Sequence, residues 1–273
     1  VNLADFNKDG RLDMAVMSFQ ESNLRLYEQQ ADGSFARTVD KDIKNLHEGM
    51  DTADIDGDGN IDIAMNGYFL KNNGADGEWE LSEIDSIWHN QTGDWSRNAT
   101  KVATKDIDGD GKAEVFMAHS ERAGYPMVMY KYNDGNWEKE VILDSLTAGH
   151  NMQIVDMDLD GRLDIVTGVN FGRAVNLGVT EGNYPLYVIL NKEDGWKLYD
   201  ATYKNALIVN LTTDTILYGF EDDPAETFRL EGGNYIKSVV NQPIYFKNIT
   251  KNTGEFGRIG ILLGVEANNK LTI

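Results

Sequence analysis

The sequence predicts an all-β protein, a β-propeller of four-stranded blades, and three observations lead there. An acidic nine-residue loop recurs four times along the chain. An Asp-Gly turn ending in an aromatic residue recurs in step with it, and the apolar stretches between them are too short for helices.

The loops begin at Asp5, Asp54, Asp106 and Asp156, at spacings of 49, 52 and 50 residues. They read DFNKDGRLD, DIDGDGNID, DIDGDGKAE and DMDLDGRLD. Each follows a short apolar-rich stretch (VNLA, MDTA, KVAT, MQIV) and leads into another (MAVMS, IAMNG, VFMAH, IVTGV). The turns ADGSF, ADGEW, NDGNW and EDGW place Phe35, Trp79, Trp137 and Trp196 at one repeated position. Asp-Gly between strand-like segments signals a hairpin. Each repeat thus reads as a strand after the acidic loop, a second strand (NLRLYEQ, MVMYKY, LYVILN), the turn, a third strand led by the aromatic, and a fourth running into the next loop. Four strands per fifty residues is a propeller blade, and the aromatic is expected to pack between neighbouring blades.

The repeats differ most between their first and second strands. The fourth is longest there, from Gly168 to Tyr184, and repeats three and four both close the stretch with Tyr-Pro (Tyr125-Pro126, Tyr184-Pro185). Such loops on a rigid scaffold are where binding surfaces are expected. Residues 1–200 therefore form four blades. Residues 201–273 carry β-rich stretches (ALIVNL, TILYGF, YIKSVV, PIYFKNI, RIGILLGV) without an acidic loop. They read as further degenerate blades or as a separate small β domain. A ring completed by this segment, or a piece of a larger ring or assembly, fits better than closure by four blades.

The loop chemistry points to Ca²⁺, about four ions. Calcium takes six to eight hard oxygens in flexible geometry, and side chains at positions 1, 3 and 5 of a tight loop point to one centre. These are Asp5, Asn7 and Asp9; Asp54, Asp56 and Asp58; Asp106, Asp108 and Asp110; Asp156, Asp158 and Asp160. Glycine at position 6 permits the turn, and position 7 (Arg11, Asn60, Lys112, Arg162) offers a backbone carbonyl. An acid at position 9 (Asp13, Asp62, Glu114, Asp164) closes the site. An EF-hand puts its closing acid at position 12 before a helix; here a strand follows position 9, so that reading is rejected.

These loops resemble the calcium loops of FG-GAP and VCBS-type repeats, as in integrin-α-like propellers and many bacterial secreted proteins. The likeness covers roughly residues 1–200 and includes the string AGHNMQIVDMDLDGRLDIV. It implies a β-propeller, often seven-bladed, with calcium near the blade edges. It also implies a range of roles: glycan-binding lectins, adhesion modules, and accessory or catalytic domains of polysaccharide lyases. Fold alone does not choose among them.

Composition narrows the choice. Forty-five acidic against twenty-five basic residues give a net charge of −20, which argues against a nucleic-acid partner. Four bound Ca²⁺ would bring it to −12. Cysteine is absent, excluding disulfides, thiolate metal sites and a cysteine nucleophile. No apolar run is long enough to span a membrane. The chain opens at Val1 with no signal peptide and reads as processed or trimmed. Weak calcium sites suit the calcium-rich exterior, so a secreted, periplasmic or cell-surface location is expected.

His47 and His150 precede their loops by 7 and 6 residues, equivalent positions that argue first for a structural role. Trp88, His89, Trp95 and Arg97 cluster in WHNQTGDWSR; His119 and Arg122 follow a strand, and Arg173 lies in the longest loop. Aromatics beside polar groups suit a sugar, with its apolar ring face and hydroxyl rim, and equally suit packing beneath a loop. His with Tyr125 and Arg would also serve β-elimination in a uronic-acid lyase, though no spacing selects a catalytic set. The expected partner is a glycan or an extracellular protein, with a polysaccharide lyase as the alternative.

Overall fold

Each acidic loop sits between two strands that pair with one another. The computed structural model describes residues 1–18, 21–74, 77–93, 95–157, 160–168 and 186–200, and beyond these the strand segments 215–218, 226–231, 234–239, 265–266 and 270–271. The first sheet comprises β1 (Asn2–Ala4), β2 (Asp13–Ser18), β3 (Asn23–Gln29) and β4 (Phe35–Asp42). The second comprises β5 (Met50–Ala53), β6 (Asp62–Met65), β7 (Tyr68–Lys71) and β8 (Glu80–Glu83). The third comprises β9 (Thr100–Lys105), β10 (Glu114–His119), β11 (Ala123–Asn133) and β12 (Asn136–Thr147). The fourth comprises β13 (Asn151–Val155), β14 (Asp164–Gly168), β15 (Leu186–Lys192) and β16 (Gly195–Asp200). The strands run in sequence order across each sheet, which is the antiparallel meander of a propeller blade.

The expected phase is corrected by one strand. The strand running into a loop pairs with the strand leaving that same loop, as Asn2 with Ala15 and Met50 with Met65. It opens its own sheet and does not close the preceding one. The loop is a tight connection, and antiparallel neighbours joined tightly pair with each other.

The chain divides into two compact units, Val1–Gln153 and Ile154–Ile273. In the first, the core lies between the faces of successive sheets. Phe6, Leu24, Leu26, Ile43 and Leu46 meet Ile63, Met65 and Leu70 between the first and second sheets. Ile55, Phe69, Ile84 and Trp88 meet Val102, Val115, Met117, Val128 and Tyr130 between the second and third. The repeated aromatic serves these seams as expected at Trp79 and Trp137, whereas Phe35 is 42% exposed. Trp137 packs edge-on to Phe69 with centroids 5.4 Å apart, and Trp79 edge-on to Phe6 at 5.8 Å.

In the second unit, the described segments past residue 200 form a three-stranded sheet, β17 (Thr215–Tyr218), β18 (Glu226–Glu231) and β19 (Asn234–Val239), and a two-stranded one, β20 (Val265–Glu266) and β21 (Lys270–Leu271). TILY and YIKSV are strands as expected, whereas ALIVNL, PIYFKNI and most of RIGILLGV lie outside the described residues. So do the Gly-rich stretch after Gly168 and Arg173 within it.

Candidate metal loops and a recess between sheets

The loops share one hydrogen-bond pattern. The first Asp accepts two backbone N–H groups: Asp54 from Gly57 at 2.8 Å and Gly59 at 2.9 Å, Asp106 from Gly109 at 2.7 Å and Gly111 at 3.0 Å. Asp5 and Asp156 accept in the same way from residues 9 and 10, and 160 and 161. The position-5 carboxylate accepts the position-7 N–H in all four, at 2.8–3.0 Å. These bonds curl the chain so that its side-chain oxygens converge. The carboxylates of Asp54, Asp56 and Asp58 approach within 4.8 Å of one another, as do those of Asp106, Asp108 and Glu114. Asp158 lies outside the described residues.

The position-9 acid accepts backbone hydrogen bonds in every loop. Asp13 is buried and accepts from Phe6 N at 3.0 Å and from Gln29 N, on the third strand, at 2.9 Å. Asp62 and Asp164 repeat this with Ile55 and Asn72, and with Met157 and Asn191. Each fastens its loop to the sheet. Glu114, one methylene longer, accepts from Ile107 N at 2.9 Å through Oε2. Its Oε1 is buried and accepts no hydrogen bond, and the Lys131 ammonium stands 3.6 Å from it.

That acceptor is the test of fit: the ammonium beside it is too distant to donate, and a metal ion among the loop oxygens would satisfy it. Burial also pushes Glu114 above the usual carboxylate range and Asp62 to about 7, the charges of Asp58 and Asp54 adding to the latter. The donor set is all oxygen, which suits Ca²⁺. Basic side chains already lean on the rims. Lys71 pairs with Asp56 and Asp58, and Lys131 with Asp108 and Asp110. Arg11 pairs with Asp9, and Arg162 and Lys192 with Asp160.

Several of the residues singled out for ligand contact are engaged in packing and hydrogen bonds. Trp88 is 1% exposed and donates its indole N–H to Tyr130 Oη at 2.7 Å, so packing accounts for it. His89 is buried, stacked on Tyr68 with centroids 3.9 Å apart, and its two nitrogens face Asn66 O and Glu83 Oε2. His119 is buried against Tyr125. Its Nδ1 accepts the N–H groups of Glu121 and Arg122, so Nε2 carries the proton and donates to Arg97 O at 3.0 Å. The Arg122 guanidinium donates to Ser96 Oγ, and Arg97 lies over Gly93. Trp95 begins a short 3₁₀ turn, its side chain being outside the described atoms, and Arg173 is not among the described residues. Among the described residues, His119, Arg97 and Arg122 are thus linked by hydrogen bonds.

A different place emerges as concave. A cavity of about 190 Å³ opens between the first two sheets, lined by Phe6, Leu26, Val39 and Trp79 with Asn7, Asp13, Glu28, Thr38 and Asn72. Its origin is an exchange of residues between repeats. Strand register makes Leu26 equivalent to Phe69, since they pair with Ala15 and Ala64. At the next seam Trp137 rests on Phe69 and Tyr132; here the equivalents are the smaller Leu26 and Asn72. A volume-reducing exchange beside an unchanged Trp leaves a void. Trp79 was legible as a seam residue; the recess needed the register of two strands.

Comparison with known proteins agrees with the loops. A family model described as FG-GAP-like repeat matches residues 5–65 and 106–167, each stretch starting at the first Asp of one loop and running past the next. Cartilage acidic protein 1 of Mus musculus is 30% identical over 147 residues, 46% of this chain and 23% of the relative. The Homo sapiens protein of that name is 29% identical over 147 residues, 46% of this chain and 22% of its own length. The chain thus spans under a quarter of these relatives. A solved structure of a protein from Lactobacillus plantarum aligns at a TM-score of 0.41 and 11% identity, covering 84% of this chain and 67% of the other. Residues 5–65 and 106–167, which hold all four acidic loops, are matched as FG-GAP-like repeats.

Proposed function

We propose that this chain is a calcium-stabilised binding module acting outside the cell, within a larger chain or assembly, and that it holds a neutral sugar residue in the recess between its first two sheets. The recess carries the reading. It offers the indole of Trp79 with Leu26 and Val39 for an apolar ring face, and Asn7, Glu28 and Thr38 for hydroxyls. Its volume of about 190 Å³ is below the roughly 300–1,000 Å³ that encloses a drug-sized ligand, so it suits one ring of a longer glycan. Two carboxylates and no cationic group line it, which disfavours a uronate. In the loops, Ca²⁺ would be held by Asp5, Asn7 and Asp9 and their counterparts, and by Glu114, supplying the charge that offsets their convergence.

The test is a glycan array probed with the wild-type chain in Ca²⁺ and with Leu26→Phe, which fills the recess as Phe69 fills the next seam. Retention of neutral pyranosides by the wild type, lost in the variant at an unchanged melting temperature, is the expected result. Equal retention by both chains would overturn the recess. His89 and His119 are buried, bonded and absent from the recess lining, so no absorbance from an unsaturated product is expected when a retained polysaccharide is incubated with the chain.

A further inference from the structure

We propose that Glu48, Glu121 and His150 form a site for one divalent transition-metal ion of the Zn²⁺ type, separate from the acidic loops. All three residues fall within the first unit, each beside the end of a different strand. Glu48 stands just ahead of β5, Glu121 just past β10, and His150 just ahead of β13. Their ligating atoms all lie within 4.8 Å of one another, and His150 Nε2 is 3.3 Å from Glu121 Oε1.

Chemistry selects the class of ion. The loops present oxygen alone and suit Ca²⁺; this trio mixes an imidazole nitrogen with two carboxylates, a set that favours Zn²⁺ or its neighbours. Two carboxylates share the place, and the Glu121 side chain is only 8% exposed. A divalent ion held by both carboxylates and the imidazole would offset the repulsion between the two acids.

The surrounding bonds orient the trio as an outer shell would. Ser120 Oγ donates to Glu48 Oε2 at 3.0 Å, and Thr100 Oγ1 donates to Glu48 O at 2.9 Å. His119 Nδ1 accepts the Glu121 N–H at 3.3 Å, fixing the turn that carries that carboxylate. His47, buried beside them, accepts the Glu48 N–H at Nδ1 at 2.9 Å. Its Nε2 therefore holds the proton, so His47 in this tautomer is not a fourth ligand. Three protein ligands leave a coordination position for water or a small ligand.

The test uses the intact chain in saturating Ca²⁺, which occupies the loops, with Co²⁺ as a coloured probe and Zn²⁺ for titration. One equivalent of Co²⁺ should bind with visible absorption, and His150→Ala and Glu121→Gln should each weaken it at least tenfold. Imidazole nitrogen spectra of the wild type, which need no variant to fold, should show the His150 Nε2 signal moving on Zn²⁺ addition while those of His47, His89 and His119 stay. Absence of Co²⁺ binding, equal binding by both folded variants, or an unmoved His150 signal at saturating Zn²⁺ would reduce the trio to an ion pair and overturn the site.

Discussion

Asp85 gathers three donors onto one carboxylate at the seam between the second and third sheets. It caps a 3₁₀ turn by accepting Ile87 N–H at 3.0 Å, and it accepts Tyr130 Oη and Lys139 Nζ, each at 2.7 Å. Tyr130 in turn accepts from Trp88, so indole, phenol and carboxylate form one chain. Burial opposes the charge on Asp85, yet the bonds from Lys139, Ile87 and Tyr130 outweigh it and hold the carboxyl below its ordinary range. Its contribution is present above the ordinary Asp value of about 4 and is lost as pH falls through the depressed native value. Asp85→Ala should cost roughly 1–3 kcal/mol in urea unfolding at neutral pH, and the difference from wild type should shrink in acid. Gly67 offers a second check. Asn66 and Gly67, at φ of +44° and +79°, form the two-residue connection between β6 and β7. A Cβ on Gly67 would stand 2.4 Å from Asp85 O, so Gly67→Ala should destabilise by about 1–3 kcal/mol by the same measurement. Residue type and spacing left Trp88, His89 and His119 open between packing and ligand contact. What separates the two is which atoms lie opposite each nitrogen, and those atoms come from distant strands.

At the scale of the element, the acidic loops were legible and their fastening was not. Oxygen at positions 1, 3 and 5 with Gly at 6 is a local pattern, so four copies show it plainly. The bond from the position-9 acid reaches the third strand, or the residue just past it, across 16 residues at Asp13, 10 at Asp62 and 27 at Asp164. No fixed spacing reveals it, because the connection between second and third strands varies in length. The sheet boundary was misplaced for a related reason: a periodic sequence gives the repeat length and leaves its starting point free. Lys71 and Lys131, near the ends of equivalent third strands, lie across two loops. Any ion entering must displace them. Lys71→Met with Lys131→Met should raise calcium affinity several-fold by calorimetry, and the EGTA-treated variant should melt below EGTA-treated wild type. Equal affinities would show that the lysines do not compete.

Over the whole molecule, metal and fold are linked, because an ion that binds only the native loops stabilises it. One site held at a hundred times its Kd adds about 2.7 kcal/mol. At roughly 2–4 °C per kcal/mol for chains of this size, excess EGTA should lower the melting temperature by at least several degrees. A melting curve that EGTA does not move would sink the structural role of calcium. The propeller-type sheets were legible over residues 1–200 because every repeat restates the same turn and loop. Past residue 200 alternation still marks strands such as Thr215–Tyr218, but no landmark recurs there to phase them. The phase found for the four sheets has one more meaning. Among the described residues, each of these four sheets is one uninterrupted stretch of chain with its own loop between its first two strands, and no strand is lent to a neighbour. A duplicated or deleted segment of about fifty residues therefore leaves every existing ladder whole and asks only that two seams be refitted. Growth of such a chain by tandem copying, followed by drift of single seam residues such as Leu26 and Asn72, can open a new recess without disturbing the hydrogen bonds that hold each copy together.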